Sequence, residues 1–226
     1  MTRKPRVVDA GSAPSGHTMF GRVLYAILWG LSRIFGVTTL GVRVRFAEPL
    51  PLKGGLLVLS THQSHLDPLL LGLASDRRLS SLARSSLFHS RVFGAIISAL
   101  DAVPIDRNAS MVAAIKAVIG RLKAGGAVTI FPEGSRTPTG KLTQLKPGFT
   151  VIAKRAGVPI MPVAIVGAYE CWPRTRLLPR PGRIRLEFGP LITVEDVARL
   201  NERELFEECV RRIEVCDARA RAARDP

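Results

Sequence analysis

Apolar positions along this chain follow two periods in alternation: short runs of Leu, Ile and Val, and longer stretches in which apolar residues recur every three or four positions. The runs predict strands. Gly55-Leu56-Leu57-Val58-Leu59 is short and apolar throughout, a buried strand ending at a turn. Val42-Arg43-Val44-Arg45-Phe46 alternates strictly and predicts a half-exposed strand. Further short strands are expected over Leu79–Ala83, Ala102–Arg107 and Ala127–Phe131. Val158–Ile165 is apolar but interrupted by Pro159 and Pro162, so it should enter the sheet late or at an edge. Arg183–Phe188 alternates, with Ile184, Leu186 and Phe188 inward.

The helical period falls between these strands. Leu87–Leu100 carries Phe88, Val92, Ile96 and Leu100 on one stripe. A well-marked helix follows Ser110 as N-cap, with Val112, Ile115, Val118, Ile119 and Leu122 inward and Gly125 as its stop. Another ends at Gly157. Thr193-Val194-Glu195-Asp196 resembles a capping box that opens a C-terminal helix, fading into the Arg-rich residues 211–224. Strands and helices in alternation, without internal repeats, predict an α/β fold: a single layered domain with a mixed central sheet flanked by helices.

The N-terminus departs from both periods. Residues 1–18 are basic and poor in large apolar side chains, a disordered tail. Residues 19–37 are apolar but broken by Arg22 and Arg33, and the ten residues between these arginines fall short of the roughly 20 needed to span a bilayer. They predict an amphipathic helix at the membrane interface, with Phe20, Leu24, Trp29, Leu31 and Phe35 in the headgroup boundary. The main domain then covers 38–217, and 218–226 form a basic C-terminal tail.

Charge narrows the partners. Lys and Arg number 33 against 18 Asp and Glu, a formal net charge of +15, which selects nucleic acid, phosphorylated small molecules, an anionic membrane surface or an acidic carrier protein. Aromatic residues are only 6% and form no stacking platform in a strand, which argues against a basic nucleic-acid-binding module. Cys171, Cys209 and Cys216 are an odd set without metal-site spacing and are expected as reduced thiols.

The unusual residues collect in turns at strand ends. After Leu59 the chain reads Ser60-Thr61-His62-Gln63-Ser64-His65-Leu66-Asp67-Pro68, in which Asp67 is expected as a helix N-cap and Pro68 at the first helical position. In such a turn Asp67 is free to fold back on His62, fixing one imidazole tautomer as a general base requires. Alone, the spacing is weak and favours the plainer reading, His62 a satisfied polar residue and Asp67 merely a cap. The other two turns are Asp106-Arg107 and Glu133-Gly134-Ser135-Arg136. Ligands of open α/β sheets bind outside such strand ends, so one crevice would join a base, a carboxylate, two arginines and a glycine. Guanidinium forks match phosphate oxygens, and Gly134 lets backbone approach a ligand.

In this order and local wording, His62-x-Ser64-x-x-Asp67, Ile105-Asp106-Arg107, Phe131–Arg136 and Val158-Pro159-Ile160-Met161-Pro162-Val163 resemble the four ordered blocks of the glycerolipid acyltransferases. The likeness is to their bacterial 1-acyl-sn-glycerol-3-phosphate acyltransferase branch and covers about residues 40–190. The resemblance implies an enzyme of phospholipid synthesis at the cytoplasmic face of the cell membrane, peripheral or monotopic. It would move a fatty acyl group from acyl-CoA or acyl-carrier protein to a lysophospholipid acceptor, with neither metal nor cofactor beyond that co-substrate. It makes His62 the general base and Asp67 the residue that orients the ring. Arg107 and Arg136 would hold the acceptor's phosphate, Glu133, Gly134 and Ser135 would shape that pocket, and Arg84, where similar proteins carry lysine, would be a further phosphate contact.

The sequence departs from the family pattern at Thr61, often Asn, at Asp101, often Gly, and mildly at Ser135. His65 rivals His62 as base, but only His62 keeps the five-residue offset to Asp67. Ser64 lacks the Gly-x-Ser-x-Gly elbow of a serine hydrolase. Lysophosphatidate is the expected acceptor, with glycerol-phosphate, another lysophospholipid or a lipid amine-acid left open.

Overall fold

The computed structural model describes residues 30, 38–84, 103–105, 111–176 and 178–225, and of 82–84, 103–105 and 111 the backbone alone. The expected tail over 1–18, the interface helix over 19–37 (Gly30 apart), the stripe over 87–100, Asp101 and the Asp106-Arg107 turn lie outside the described residues.

Strands β1 (Arg43–Phe46), β2 (Leu56–Ser60), β3 (Leu79–Arg84), β4 (Val103–Ile105), β5 (Ala127–Ile130), β6 (Ile160–Val166) and β7 (Arg185–Phe188) form one sheet in the order β1-β7-β6-β2-β5-β3-β4. Helices α1 (Asp67–Ala74), α2 (Met111–Lys123), α3 (Gly148–Ala156), α4 (Ala168–Cys171), α5 (Val194–Arg199) and α6 (Glu202–Arg224) complete the described elements. The sheet is mixed, as the alternation predicts. β6, β2, β5, β3 and β4 run parallel, so their C-terminal ends share one edge, while β7 runs antiparallel to β6 and parallel to β1.

Every residue of β2 is buried, because a parallel strand is covered on both faces. Leu56 and Val58 join one core with Leu70, Leu71, Met161 and Val163. Leu57 and Leu59 join a second with Val118, Leu122, Phe149, Leu205 and Ile213. Full burial of side chains of this size stabilises by roughly 1.5–3 kcal/mol each.

Four expectations are corrected. β6 is neither late nor at an edge: all seven residues are buried and it lies between β2 and β7. Its β2 side uses the odd-numbered residues, since Leu57 N–H donates to Pro159 O and Thr61 N–H to Val163 O. Pro162 therefore faces β7, where pairing slips by one residue between the Ile160–Ile192 bridge and the Val163–Phe188 pair. A missing N–H is tolerated at such a bulge, and Pro162 still accepts Gly189 N–H at 2.9 Å. The C-terminal helix is two helices. Thr193 caps only α5, accepting Asp196 N–H, and a reciprocal box between Asn201 and Glu204 opens α6. Helix α6 does not fade. It runs through Arg224 with Ala220 buried, so most of the expected tail over 218–226 is packed helix. Half-exposure was expected of β1, and its four residues are all exposed at the sheet's edge.

Candidate active site

The chain leaves β2 at the parallel edge and is fastened at once to its neighbours. Thr61 is buried; its Oγ1 accepts Ile165 N–H at 2.8 Å and donates to Ile165 O at 3.2 Å. His62 is then held through its backbone from the loop after β5. Its N–H donates to Glu133 Oε1 at 2.6 Å, and its carbonyl accepts Thr137 N–H at 2.9 Å. The imidazole stacks on Phe131 with ring centroids 4.0 Å apart and an interplanar angle of 18°.

Asp67 fixes the other degree of freedom of the ring. It is fully buried, and its Oδ2 lies 2.8 Å from His62 Nδ1 while accepting the N–H groups of Gln63 at 2.6 Å and Ser64 at 2.8 Å. Asp67 is thus not an N-cap, as the sequence reading expected. Leu66 occupies the cap position of α1, and the Asp67 carboxylate reaches backwards into the turn. An oxygen already accepting two backbone N–H groups is an acceptor toward the ring too, so Nδ1 carries a proton, and in the neutral imidazole the lone pair then lies at Nε2. With its side chain 20% exposed, His62 meets solvent where Asp67 does not.

The neighbouring polar side chains are occupied otherwise. Ser64 Oγ donates to Trp172 O at 2.7 Å and accepts Leu66 N–H at 3.2 Å, which shapes the turn. His65 is exposed, its ring 5.4 Å from that of Trp172. Partial burial, then the positive charge of Arg136 and the proximity of His62, push its pKa below the ordinary imidazole value against the opposing pull of Asp67. Arg136 thus acts electrostatically on the turn that carries His62 and His65.

Glu133 is turned inward. Oε1 holds His62 N–H, and Oε2 accepts Thr143 N–H at 3.1 Å and a short hydrogen bond from Thr143 Oγ1. Burial pushes its pKa up, against these hydrogen bonds. Gly134 follows with φ 74°, a left-handed conformation that favours glycine; a Cβ there would stand 3.1 Å from Lys146 Nζ, which a small shift of that flexible side chain relieves. Gly134 and Ser135 are exposed and Arg136 is half-buried.

Of the residues singled out by sequence, His62, Asp67, Glu133, Gly134, Ser135 and Arg136 come together on two adjacent strand ends, after β2 and β5. Arg84 closes β3 on the same edge, paired in register with Ile105 at the end of β4; its side chain is outside the described residues. Arg107 lies outside them altogether. Sequence reasoning missed Gln63, Phe131, Thr137, Thr143 and Lys146. The last three sit in a polar, glycine-bearing stretch whose pattern signals only a loop. Among the described residues no group of three or more His, Cys, Asp or Glu is arranged to hold a metal ion, and no helix is long and apolar enough to cross a membrane.

Comparison with known proteins shows the family and the fold. The Acyltransferase family model matches residues 41–166, from two residues before β1 through the His62 turn to the end of β6. A 1-acyl-sn-glycerol-3-phosphate acyltransferase of Pseudomonas aeruginosa is 33% identical over 174 residues, 72% of this chain and 66% of that protein. One of Bacillus subtilis is 30% identical over 165 residues, 73% of this chain and 80% of that protein. The crystal structure of the 1-acyl-sn-glycerophosphate (LPA) acyltransferase PlsC from Thermotoga maritima superposes with a TM-score of 0.73 at 24% identity, over 93% of this chain and 85% of that one, and shares the fold.

Proposed function

Because this chain belongs to the Acyltransferase family, we propose that it transfers a fatty acyl group from an acyl thioester to the free hydroxyl of a lysophosphatidate-like acceptor, with His62 as general base. The observation that supports this most directly is the His62 Nδ1–Asp67 Oδ2 bond of 2.8 Å, made to a carboxylate that two backbone N–H groups also hold. In the neutral ring, that bond puts the proton on Nδ1 and the lone pair on Nε2, on the side away from Asp67.

In this scheme Nε2 takes the proton as the acceptor oxygen attacks the thioester carbonyl carbon. The tetrahedral intermediate collapses with cleavage of the C–S bond, and the thiol leaves with the proton carried by His62. No acyl-enzyme forms. A positioned base contributes typically 10²–10⁴-fold, and alignment of the two substrates adds to it. Arg136, with Arg84 and Arg107, holds the acceptor's phosphate and so places the hydroxyl. The donor is acyl-CoA or acyl-carrier protein. The excess of cationic side chains and the amphipathic sequence over 19–37 favour work at the anionic cytoplasmic face of the cell membrane.

Thiol release from either donor, measured with lysophosphatidate, glycerol-phosphate and other lysophospholipids, tests the reading. Lysophosphatidate is expected to give the highest kcat/KM. His62→Ala should abolish turnover while leaving the folded signal intact, and Arg136→Ala should chiefly raise KM for phosphorylated acceptors. Near-normal turnover in His62→Ala would refute the assignment of the base.

A further inference from the structure

Gln63, between His62 and Ser64, is a polar side chain that the reaction does not use, yet it is only 2% exposed and bonded at both ends of its amide. Nε2 donates to Gly140 O at 2.8 Å, and Oε1 accepts Tyr169 N–H at 3.3 Å. These partners belong to the segments that follow the strands beside the turn, Gly140 in the loop after β5 and Tyr169 in α4 after β6. The Gly140 carbonyl also accepts Arg221 Nη2 at 2.9 Å, so it receives Gln63 from the turn and Arg221 from the end of α6. Arg221 is itself braced by both oxygens of Asp217 at 2.6 and 3.1 Å.

The loop that carries Gly140 is fixed from other sides as well. Tyr169 Oη donates to Pro138 O at 2.7 Å, and the Tyr169 ring lies where a Cβ on Gly140 would meet it at 3.0 Å. Thr137 N–H, at the start of the same loop, donates to His62 O. The backbone of His62 and the side chain of Gln63 thus rest on one short loop, and that loop rests on the last turn of the C-terminal helix. Arg224 adds a second tie, to Glu170 Oε1 at 2.6 Å beside Tyr169.

We propose that Gln63 is a positioning residue, whose amide fastens the catalytic turn to Gly140 and through that carbonyl to Arg221, so that the end of α6 helps to aim the His62 ring. A buried amide that pairs with two backbone groups specifies one placement of the turn, because any shift of the turn leaves a buried donor or acceptor unmatched. Displacement of a catalytic group by about 1 Å is sufficient to lower turnover on the order of 10²-fold. The inference rests on His62 being the base, as proposed above.

The test uses the full chain with Gln63→Met, which keeps length and volume but removes both hydrogen bonds, and with Arg221→Ala and Arg221→Lys, which alter the partly exposed end of the relay. kcat in Gln63→Met should fall on the order of 10²-fold with KM for the acceptor little changed. Arg221→Ala should move in the same direction by less, and Arg221→Lys should recover most of the loss. The ¹⁵N-labelled imidazole of His62, observed by NMR without substrate, should show a changed Nδ1–H signal in Gln63→Met and Arg221→Ala. This readout separates the two ideas: a wild type inactive toward every acceptor sinks the acyl-transfer reading, whereas the imidazole signal still judges the positioning. Variants that melt earlier than wild type but keep its kcat, KM, pH profile and His62 signal would overturn the proposal. If Gln63→Met fails to fold, the two Arg221 variants decide by the same measurements.

Discussion

Asp67 and Glu133 both end on His62, the one on its ring and the other on its backbone, and they come from opposite distances. Asp67 lies five residues away in the same turn, and one of its oxygens gathers His62 Nδ1 and two backbone N–H groups. Glu133 lies 71 residues away across a strand boundary and divides its oxygens between His62 N–H and Thr143. Both are buried, but only Asp67 touches the imidazole ring. The difference separates two tasks within one site. If His62 is the base, as proposed, the near carboxylate sets which nitrogen takes the proton, and the distant one sets where that nitrogen stands.

The largest effect should come from the near carboxylate. Asp67→Asn keeps the shape but turns an amide NH₂ or a lone acceptor toward three donors, so the ring loses its fixed tautomer. Turnover should fall about 10²–10⁴-fold, the range a general base supplies. The double variant with His62→Ala should be no worse than His62→Ala alone, since the two residues act as one unit. Additive losses in the double variant would show that Asp67 acts by another route.

Glu133→Gln should fall between, with stability affected as strongly as rate. The amide can accept on one atom only, and its NH₂ faces either His62 N–H or the Thr143 donors, a mismatch of about 1–3 kcal/mol. Its pH dependence distinguishes it from Asp67. Burial raises the folded-state pKa of Glu133, so its contribution to stability is fully present below the unfolded carboxylate value and is lost as pH rises through the folded one. The stability advantage of wild type over Glu133→Gln, measured by denaturant unfolding at a series of pH values, should therefore shrink from acid toward neutral pH. A gap that widened with pH would mean that hydrogen bonds to the charged form outweigh desolvation.

The same division explains what the sequence made legible. Period and breakers placed the strands and the α/β class, because each strand is a local apolar run bounded by turn residues. The His62–Asp67 pair was legible because both ends lie in one turn. Its details were not: Asp67 was expected as a cap, yet its oxygen turns back toward Gln63 and Ser64, a choice made by the donors that the turn exposes. Pro162 misled because the bulge that accommodates it depends on the register of β7, more than twenty residues further on. Thr143, Gly140 and Arg221 had no signal, since a polar residue in a loop or at a helix end looks the same whether or not a distant partner awaits it. The run of arginines near the C-terminus likewise hid a helix, which Ala220 and the Arg221–Asp217 and Arg224–Glu170 pairs hold in place.

The smallest expected effect sharpens the comparison at its centre, where two imidazoles stand three residues apart. His65 is exposed and has Trp172, not a carboxylate, beside its ring, and burial together with the charge of Arg136 disfavours its protonated form. Without an acceptor for one ring nitrogen its tautomer is unfixed, and as a base it lacks the support that His62 draws from Asp67. His65→Ala should leave kcat close to wild type and alter KM for the acceptor only through the lost neighbour of Arg136. In NMR titration the His65 ring should take up its proton below the ordinary imidazole range. Replacing Arg136 by Ala should move that titration upward, because a positive charge that opposed protonation has gone. If His65→Ala lost turnover while His62→Ala kept it, the carboxylate that touches the ring would be orienting a bystander, and the division of labour between Asp67 and Glu133 would have to be redrawn around the second imidazole.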